Sequence, residues 1–295
     1  MNNNFTFLTE DQIFGNNQLE ILKNYGSKCV ITDFSILLGG STFCNYNADK
    51  IKSEGRNGLW WTKTPIDHNQ VKYIDLFGNV GKNVIYERSI GARPSITYSK
   101  IANLATTVRK DNGIKEIEYG EYPQTIVDEN YAYELEKAYN KYNMNEEMTQ
   151  TGKVYTTDSV NSDDFTGYFK PKEYIEYEYK NKKYIRFETD LNCENKILTE
   201  DKKINVFQPY WICVEPITWI VDEKADIALS KKIIFAGIQF QNCNLRDYKA
   251  NFNESDIKQF MNKYFSQEIL KDKVYSAEKS KPQGKVLRVK KHSHS

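Results

Sequence analysis

The most apolar stretch of the chain, YWICVEPITWIVDEKADIALSKKIIF at residues 210–235, is interrupted once, by the polar run Asp222 to Asp226. Short apolar runs bounded by a turn signal are the mark of strands buried on both faces. We read it as two core strands joined by a turn at Asp222 to Asp226. Such strands need partners, and the chain offers several. YIEYEYKNKKYIRFETD alternates apolar and polar positions around Lys180 to Lys182, which predicts a β-hairpin. VKYIDLFGNVGKNVIYERSIGARPSI alternates in the same way, with Gly78 and Gly81 flanking a candidate hairpin. Pro94 holds Arg93 extended and limits the strand after it to an edge or end position. IEYGEYPQTIV reads as a strand turned at Gly120 and Pro123, and TGKVYTTDSV as a strand running into an acidic loop.

Helix signals are shorter. Thr9 is placed to cap a turn carrying Asp11 and Gln12, and Leu19, Leu22 and Tyr25 recur at helical spacing. Thr32 or Asp33 precedes an apolar turn stopped by Gly39 and Gly40. DENYAYELEKAYNKYN puts Tyr131, Leu135 and Ala138 on one face. Ser255 caps a helix that would bury Ile257, Phe260, Met261 and Phe265. Residues 101–116 are polar and read as a connection, and 276–295 as a basic flexible tail. The expected class is α+β.

Several segments together resemble a known family: uncharacterised bacterial domains related to the formylglycine-generating enzyme, whose fold is that of C-type lectins. FTFLTEDQIFG is similar to the family's Phe-Leu-Leu-Ser-x-x-Glu segment, and ITDFSILLG to its threonine-started short helix. GLWWTKTP resembles its Trp-Trp-x-x-Ser/Thr-Pro motif, and IGARPSI its Gly-Val-Arg-Pro-Ala ending. EYGEYPQT, WICVEPITWIVDEKADIALSKKIIF and ESDIKQFMNKYF resemble segments that open the usual family member, yet here they come last. The resemblance therefore implies a C-type-lectin-like domain in circularly permuted order. It would span 1–275, with 1–100 as the family's second half and 117–275 as its first. Neighbouring termini make such permutation tolerable.

The chemistry of catalysis is thinly represented. No phosphate loop, dinucleotide fingerprint, HExxH or GxSxG pattern occurs, and LLGGST at 37–42 is not a phosphate loop in this setting. Glu215 and Asp222 read as salt-bridged or solvated carboxylates rather than an acid/base pair. An oxidase of the formylglycine-generating type needs paired copper-binding thiolates, whereas Cys29, Cys44, Cys193, Cys213 and Cys243 are scattered. Reduced, inert thiols are expected. His68, His292 and His294 are too few and too dispersed for an imidazole metal site, and NSDDF at 161–165 lacks EF-hand spacing for calcium. No cofactor or metal is expected, and the chain is expected not to be an enzyme.

Basic and acidic residues nearly cancel, 41 against 40. This argues against nucleic acid as a partner except through the basic tail. No signal-peptide pattern or long apolar run is seen, so the expectation is a cytoplasmic protein without a membrane partner. Trp60, Trp61, Arg93, Trp211 and Trp219 read as scaffold, since neighbouring strand residues point to opposite faces and at least one tryptophan of the pair must be buried. Arg93 is expected to bond carbonyls or pair with a carboxylate. Between these motifs lie His68, Asn69, Lys72, Tyr73, Asp75, Phe77, Asn79, Lys82, Asn83, Tyr86 and Arg88 on predicted strands and turns. Polar and aromatic residues on a rigid support suit recognition. The expected function is a non-catalytic binding module presenting residues 66–90 to a protein or glycan. The family setting suggests two alternatives, a phage or mobile-element inhibitor of a host defence complex and a formylglycine-generating-type oxidase.

Overall fold

The structure is a computed structural model; it describes residues 5–42, 56–111, 114–140, 147–158, 169–188, 204, 208–242 and 250–270. Cys44, Cys193, Cys243, NSDDF at 161–165, His292, His294 and the tail 276–295 lie outside the described residues.

Three short helices open the chain: α1 (Glu10–Phe14), α2 (Glu20–Tyr25) and α3 (Asp33–Leu37). Polar side chains fix all three starts, two of them locally and one from a distance. The Thr9 hydroxyl accepts the Gln12 N–H while the Gln12 side chain takes the Thr9 N–H, which forms a complete capping box. Thr32, rather than Asp33, caps α3 by accepting the Ser35 N–H. For α2, the cap comes from far along the chain: Asp222 accepts the Glu20 N–H at 2.7 Å and the Ala225 N–H at 3.0 Å. Asp222 thus ties a helix start to the turn that follows its own strand.

Strands β1 (Trp60–Pro65), β2 (Gln70–Ile74) and β3 (Val80–Val84) form a three-stranded antiparallel sheet in that order, with β3 at its edge. The hairpin turn lies at Asp75 to Asn79. Gly78 lies in it with φ of +88°, but Gly81 falls inside β3, not at its flank as the sequence suggests. The reason is packing, because a Cβ at Gly81 would meet the Tyr73 ring at 2.6 Å.

The second sheet has eight strands, built from β4 (Ser95–Thr97), β5 (Thr106–Asp111), β6 (Ile114–Ile126), β7 (Met148–Asp158), β8 (Pro171–Tyr179), β9 (Lys182–Glu188), β10 (Pro209–Asp222) and β11 (Ile227–Ser230). All its pairings are antiparallel. Long β10 is the spine. One edge pairs with β6, and the other with β9 at its start and β11 at its end. The β8–β9 turn puts Lys180 and Asn181 at φ of +50° and +60°, the geometry of a tight two-residue hairpin. Pro94 precedes β4, the last strand on its side, as its missing N–H requires.

The region read as a connection, 101–116, is a correction. Residues 106–111 form β5, and 114–116 begin β6. The strand is exposed along Thr106 to Lys110, so no burial pattern marks it; backbone pairing to β6 holds it. IEYGEYPQTIV likewise stays in one strand. Register shifts beside Val214 and between Pro216 and Thr218 absorb Gly120 and Pro123 without a turn.

Helix α4 (Glu129–Asn140) buries Leu135 and Ala138 against Met148, Tyr177, Tyr179, Tyr184 and Trp211, a satellite of the core. Near the C-terminus α5 (Asp256–Phe260), capped by Ser255, continues through a π turn (Met261–Phe265) into α6 (Ser266–Glu268). Ile257, Phe260, Met261 and Phe265 are buried as the pattern predicts. The main core runs from Phe5 to Ile269 and gathers residues of both chain halves around Trp60, Trp61 and Trp219. No described helix is long and apolar enough to cross a membrane.

Candidate functional site

The two tryptophans of GLWWTKTP are both fully buried, and opposite strand faces place them in different parts of the core. Trp60 donates its indole N–H to the Ser27 carbonyl at 3.1 Å, and the Arg93 guanidinium lies 5.0 Å over its ring. Trp61 packs edge-on against Phe240 and Tyr73, with centroids 5.5 and 6.4 Å away. Arg93 itself is buried and donates from Nε to the Ser230 carbonyl at 3.0 Å, one of the two roles expected of it. Burial holds its pKa below the usual arginine value. Trp219 donates to the Tyr119 carbonyl at 2.9 Å, while Trp211 centres the satellite cluster. Trp60 and Trp61 lie on β1, which pairs with β2 and so supports the 66–90 segment directly, whereas Trp211 sits apart in the satellite cluster.

Within that segment the structure separates side chains that hold the hairpin from side chains that leave it. Asp75 belongs to the first kind. Its carboxylate accepts the N–H groups of Phe77 and Asn79 at 2.9 and 2.7 Å, closing the β2–β3 turn. Lys72 forms an ion pair with Glu10, which fastens β2 to α1. Asn83 bonds the next backbone N–H, and Asn69 gives its own N–H to Asp67 and its carbonyl to Ile85. Arg88 reaches Asp158 at 2.7 Å and the Gly237 carbonyl at 3.3 Å, joining this segment to β7. Tyr73 is half-buried between Trp61 and Gly81; burial and the nearby Asp75 and Glu87 charges raise its phenol.

His68, Phe77, Asn79, Lys82 and Tyr86 are of the second kind, all exposed. Phe77 keeps 51% and Tyr86 48% of its area in water, and two neighbours that the sequence reading passed over, Ile66 and Val80, keep 41% and 38%. Single exposed apolar residues are ordinary, but several on one small sheet are informative. Phe77 and Val80 mark one end of edge strand β3, Ile66 and Tyr86 the other. Four residues of strand separate the ends, roughly 14 Å. The turn near Phe77 is anchored from below, where the Ser27 hydroxyl donates to the Gly78 carbonyl at 2.6 Å.

A second group went unseen because it exists only in three dimensions. Under the C-terminal turns, Glu268 accepts the Thr156 N–H at 2.8 Å, while its other oxygen is buried with no hydrogen-bond partner. Burial pushes this carboxyl up to about 8, against the opposing pull of the Thr156 bonds and the Lys153 charge. Tyr122 and Lys153 are also buried with unpartnered polar ends; burial raises the phenol and lowers the amine. Next to them Glu176 accepts from the Tyr155 hydroxyl at 2.6 Å and from Thr151 at 2.8 Å. The ionisable side chains of the cluster are all buried inside the fold.

The carboxylates and thiols named in the sequence that fall among the described residues are placed as follows. Asp222 and Glu215 serve backbone and hydroxyl donors, with Glu215 accepting from Thr125 at 2.7 Å. Cys29 and Cys213 are free thiols; burial raises both, Cys213 to about 11, so neither has thiolate character near neutral pH. Among the described residues no group of His, Cys, Asp and Glu is placed to hold a metal ion. No family model, curated protein or solved structure matches the chain.

Proposed function

We propose that this chain is a non-catalytic binding module whose contact surface is the edge strand β3 with its two flanking turns, and that its ligand is a protein. The observation that carries the reading is the exposure of Val80 on β3, and of Ile66, Phe77 and Tyr86 in the turns beside it, on a sheet whose inner residues Trp61, Val71 and Ile74 are fully buried. A rigid support lowers the entropy cost of binding, and rigid aromatic side chains supply contact area. Exposed aliphatic groups beside the aromatics favour a protein surface over a sugar. Lys82 adds one positive charge between the two apolar ends.

The fold behind this surface is, in the same proposal, a permuted C-type-lectin-like domain. Support comes from how the two halves interlock. Strand β4, from the IGARPSI end of the first half, pairs with β11 of the second, and Ala92 bridges Phe235. Ile31 bridges Ile233 in parallel.

The test uses the full chain immobilised and exposed to extract of its native cells, beside a Phe77→Ser/Val80→Ser/Tyr86→Ser variant. Wild type should retain a partner, identified by mass spectrometry, that the variant loses while its melting temperature stays within a few degrees. Equal retention by both would remove the surface from consideration. Binding to a glycan array with no protein partner would refute the ligand class.

A further inference from the structure

On different elements from β1–β3, a cleft of about 230 Å³ opens over the β6–β10 ladder. Glu118, Gln124, Glu215, Pro216, Thr218 and Lys232 line it. It lies over the two register shifts of this ladder, at Gln124 opposite Cys213 and Val214 and between Pro216 and Thr218, and bulges of this kind recur beside functional sites. Gln124, almost fully buried, makes the cleft floor rigid. Its amide nitrogen donates to the carbonyls of Glu215 and Pro216 at 3.0 and 2.9 Å, which turns its oxygen toward the Lys232 ammonium, 3.4 Å away. Glu215 is steadied by the Thr125 hydroxyl.

The charges around this space are unmatched. Lys232 and Glu118 line the same cleft, yet among the described residues neither has an ion-pair partner. The neighbouring residue shows the contrast, because Lys231 holds both oxygens of Glu116 at 2.9 Å. An anion alone in the cleft would satisfy Lys232 and face two carboxylates. A cation alone would satisfy the carboxylates and face Lys232. A molecule carrying both charges satisfies all three groups. The volume lies below the roughly 300 Å³ at which drug-sized sites begin, which suits a ligand of a few non-hydrogen atoms.

We propose that this cleft binds a small zwitterion of the amino-acid class, with its carboxylate on Lys232 and its ammonium between Glu118 and Glu215.

The experiment is an NMR titration of the ¹⁵N-labelled full chain with each of the common L-amino acids at millimolar concentration. The expected result is saturable movement of the Thr218, Gln124 and Lys232 amide signals by at least one amino acid, and none by its methyl ester, its N-acetyl form or a mixture of acetate and methylammonium. Lys232→Met and Glu118→Gln should each weaken binding about tenfold, as loss of one charged hydrogen bond implies. Lys232→Arg should retain it. A longer ω-amino acid, 6-aminohexanoate, reports the spacing of the two charges, and tighter binding by it still supports the proposal. No saturable movement with any zwitterion, equal movement with the methyl ester, or unchanged affinity in Lys232→Met would overturn it. Should Lys232→Met disturb signals outside the cleft, Lys232→Gln repeats the comparison.

Discussion

The two sheets solve opposite problems with similar sequence texture. Both alternate apolar and polar positions and both expose some apolar side chains, Val108 and Ile175 on the larger. Yet only the eight-stranded sheet encloses a cluster of ionisable groups, and the three-stranded sheet gathers its exposed apolar residues at its two ends. Glu268, Lys153 and Tyr122 sit buried with unmet polar ends, while Phe77, Val80 and Tyr86 project into water. Each arrangement has a free-energy cost. In the large sheet the cost is incurred inside the fold, where Glu268 makes it a function of pH in our proposal; in the small sheet it falls on the surface, where the proposed partner would relieve it.

The largest expected effect sharpens this contrast. Trp219→Ala removes a fully buried ring stacked 6.0 Å from Phe5 and should destabilise the chain by about 3–5 kcal/mol in urea unfolding. A loss under about 1 kcal/mol would mean that the two halves do not share this core.

Next in size is the response to pH. The folded carboxyl of Glu268 titrates near 8, against an ordinary value of 4.5, so between those limits the native chain holds a proton that the unfolded chain has released. Stability from this group is complete below pH 4.5, falls as pH rises through the interval, and levels above about 8. Glu268→Gln should flatten the decline and leave the variant more stable than wild type at pH 8.5. Parallel pH profiles for the two proteins would break the assignment.

Smaller still is the capping box at α1. Thr9→Ala should cost about 1 kcal/mol, read as a shift in unfolding midpoint with unchanged slope. The smallest effect on stability is expected at the sheet edge. Phe77→Ser with Tyr86→Ser should stay within about 0.5 kcal/mol of wild type, the range of exposed sites, while abolishing partner capture. If these substitutions unfold the chain, the two sheets do not divide labour as proposed.

What could be read from the residues beforehand follows the same division. Period-two alternation marks β8 and β9, continuous apolar runs mark β10 and β11, and Thr9, Thr32 and Ser255 mark helix starts because capping is local chemistry. Strand β5 escaped notice since an exposed edge strand needs only a partner, here β6, and no pattern of its own. Gly81 looked like a turn residue, yet it is small because the Tyr73 ring lies over it. The eleven residues proposed for recognition lie on β2, β3 and the turns beside them. Which of them hold the hairpin could not be told from sequence, because Glu10, Asp67 and Asp158, the partners of Lys72, Asn69 and Arg88, lie in other elements or in the adjoining turn. Glu268 depends on a contact across 112 residues and the β6–β10 cleft on contacts across 90 to 108, for which no local signal exists.

The division between a recognising edge and a supporting sheet is tested most directly by hydrogen exchange on the full chain, free and with its captured protein bound. The account predicts new protection confined to residues 66–88, with β7, β8 and β9 unchanged. Protection appearing on β7–β9, with none at 66–88, would contradict it.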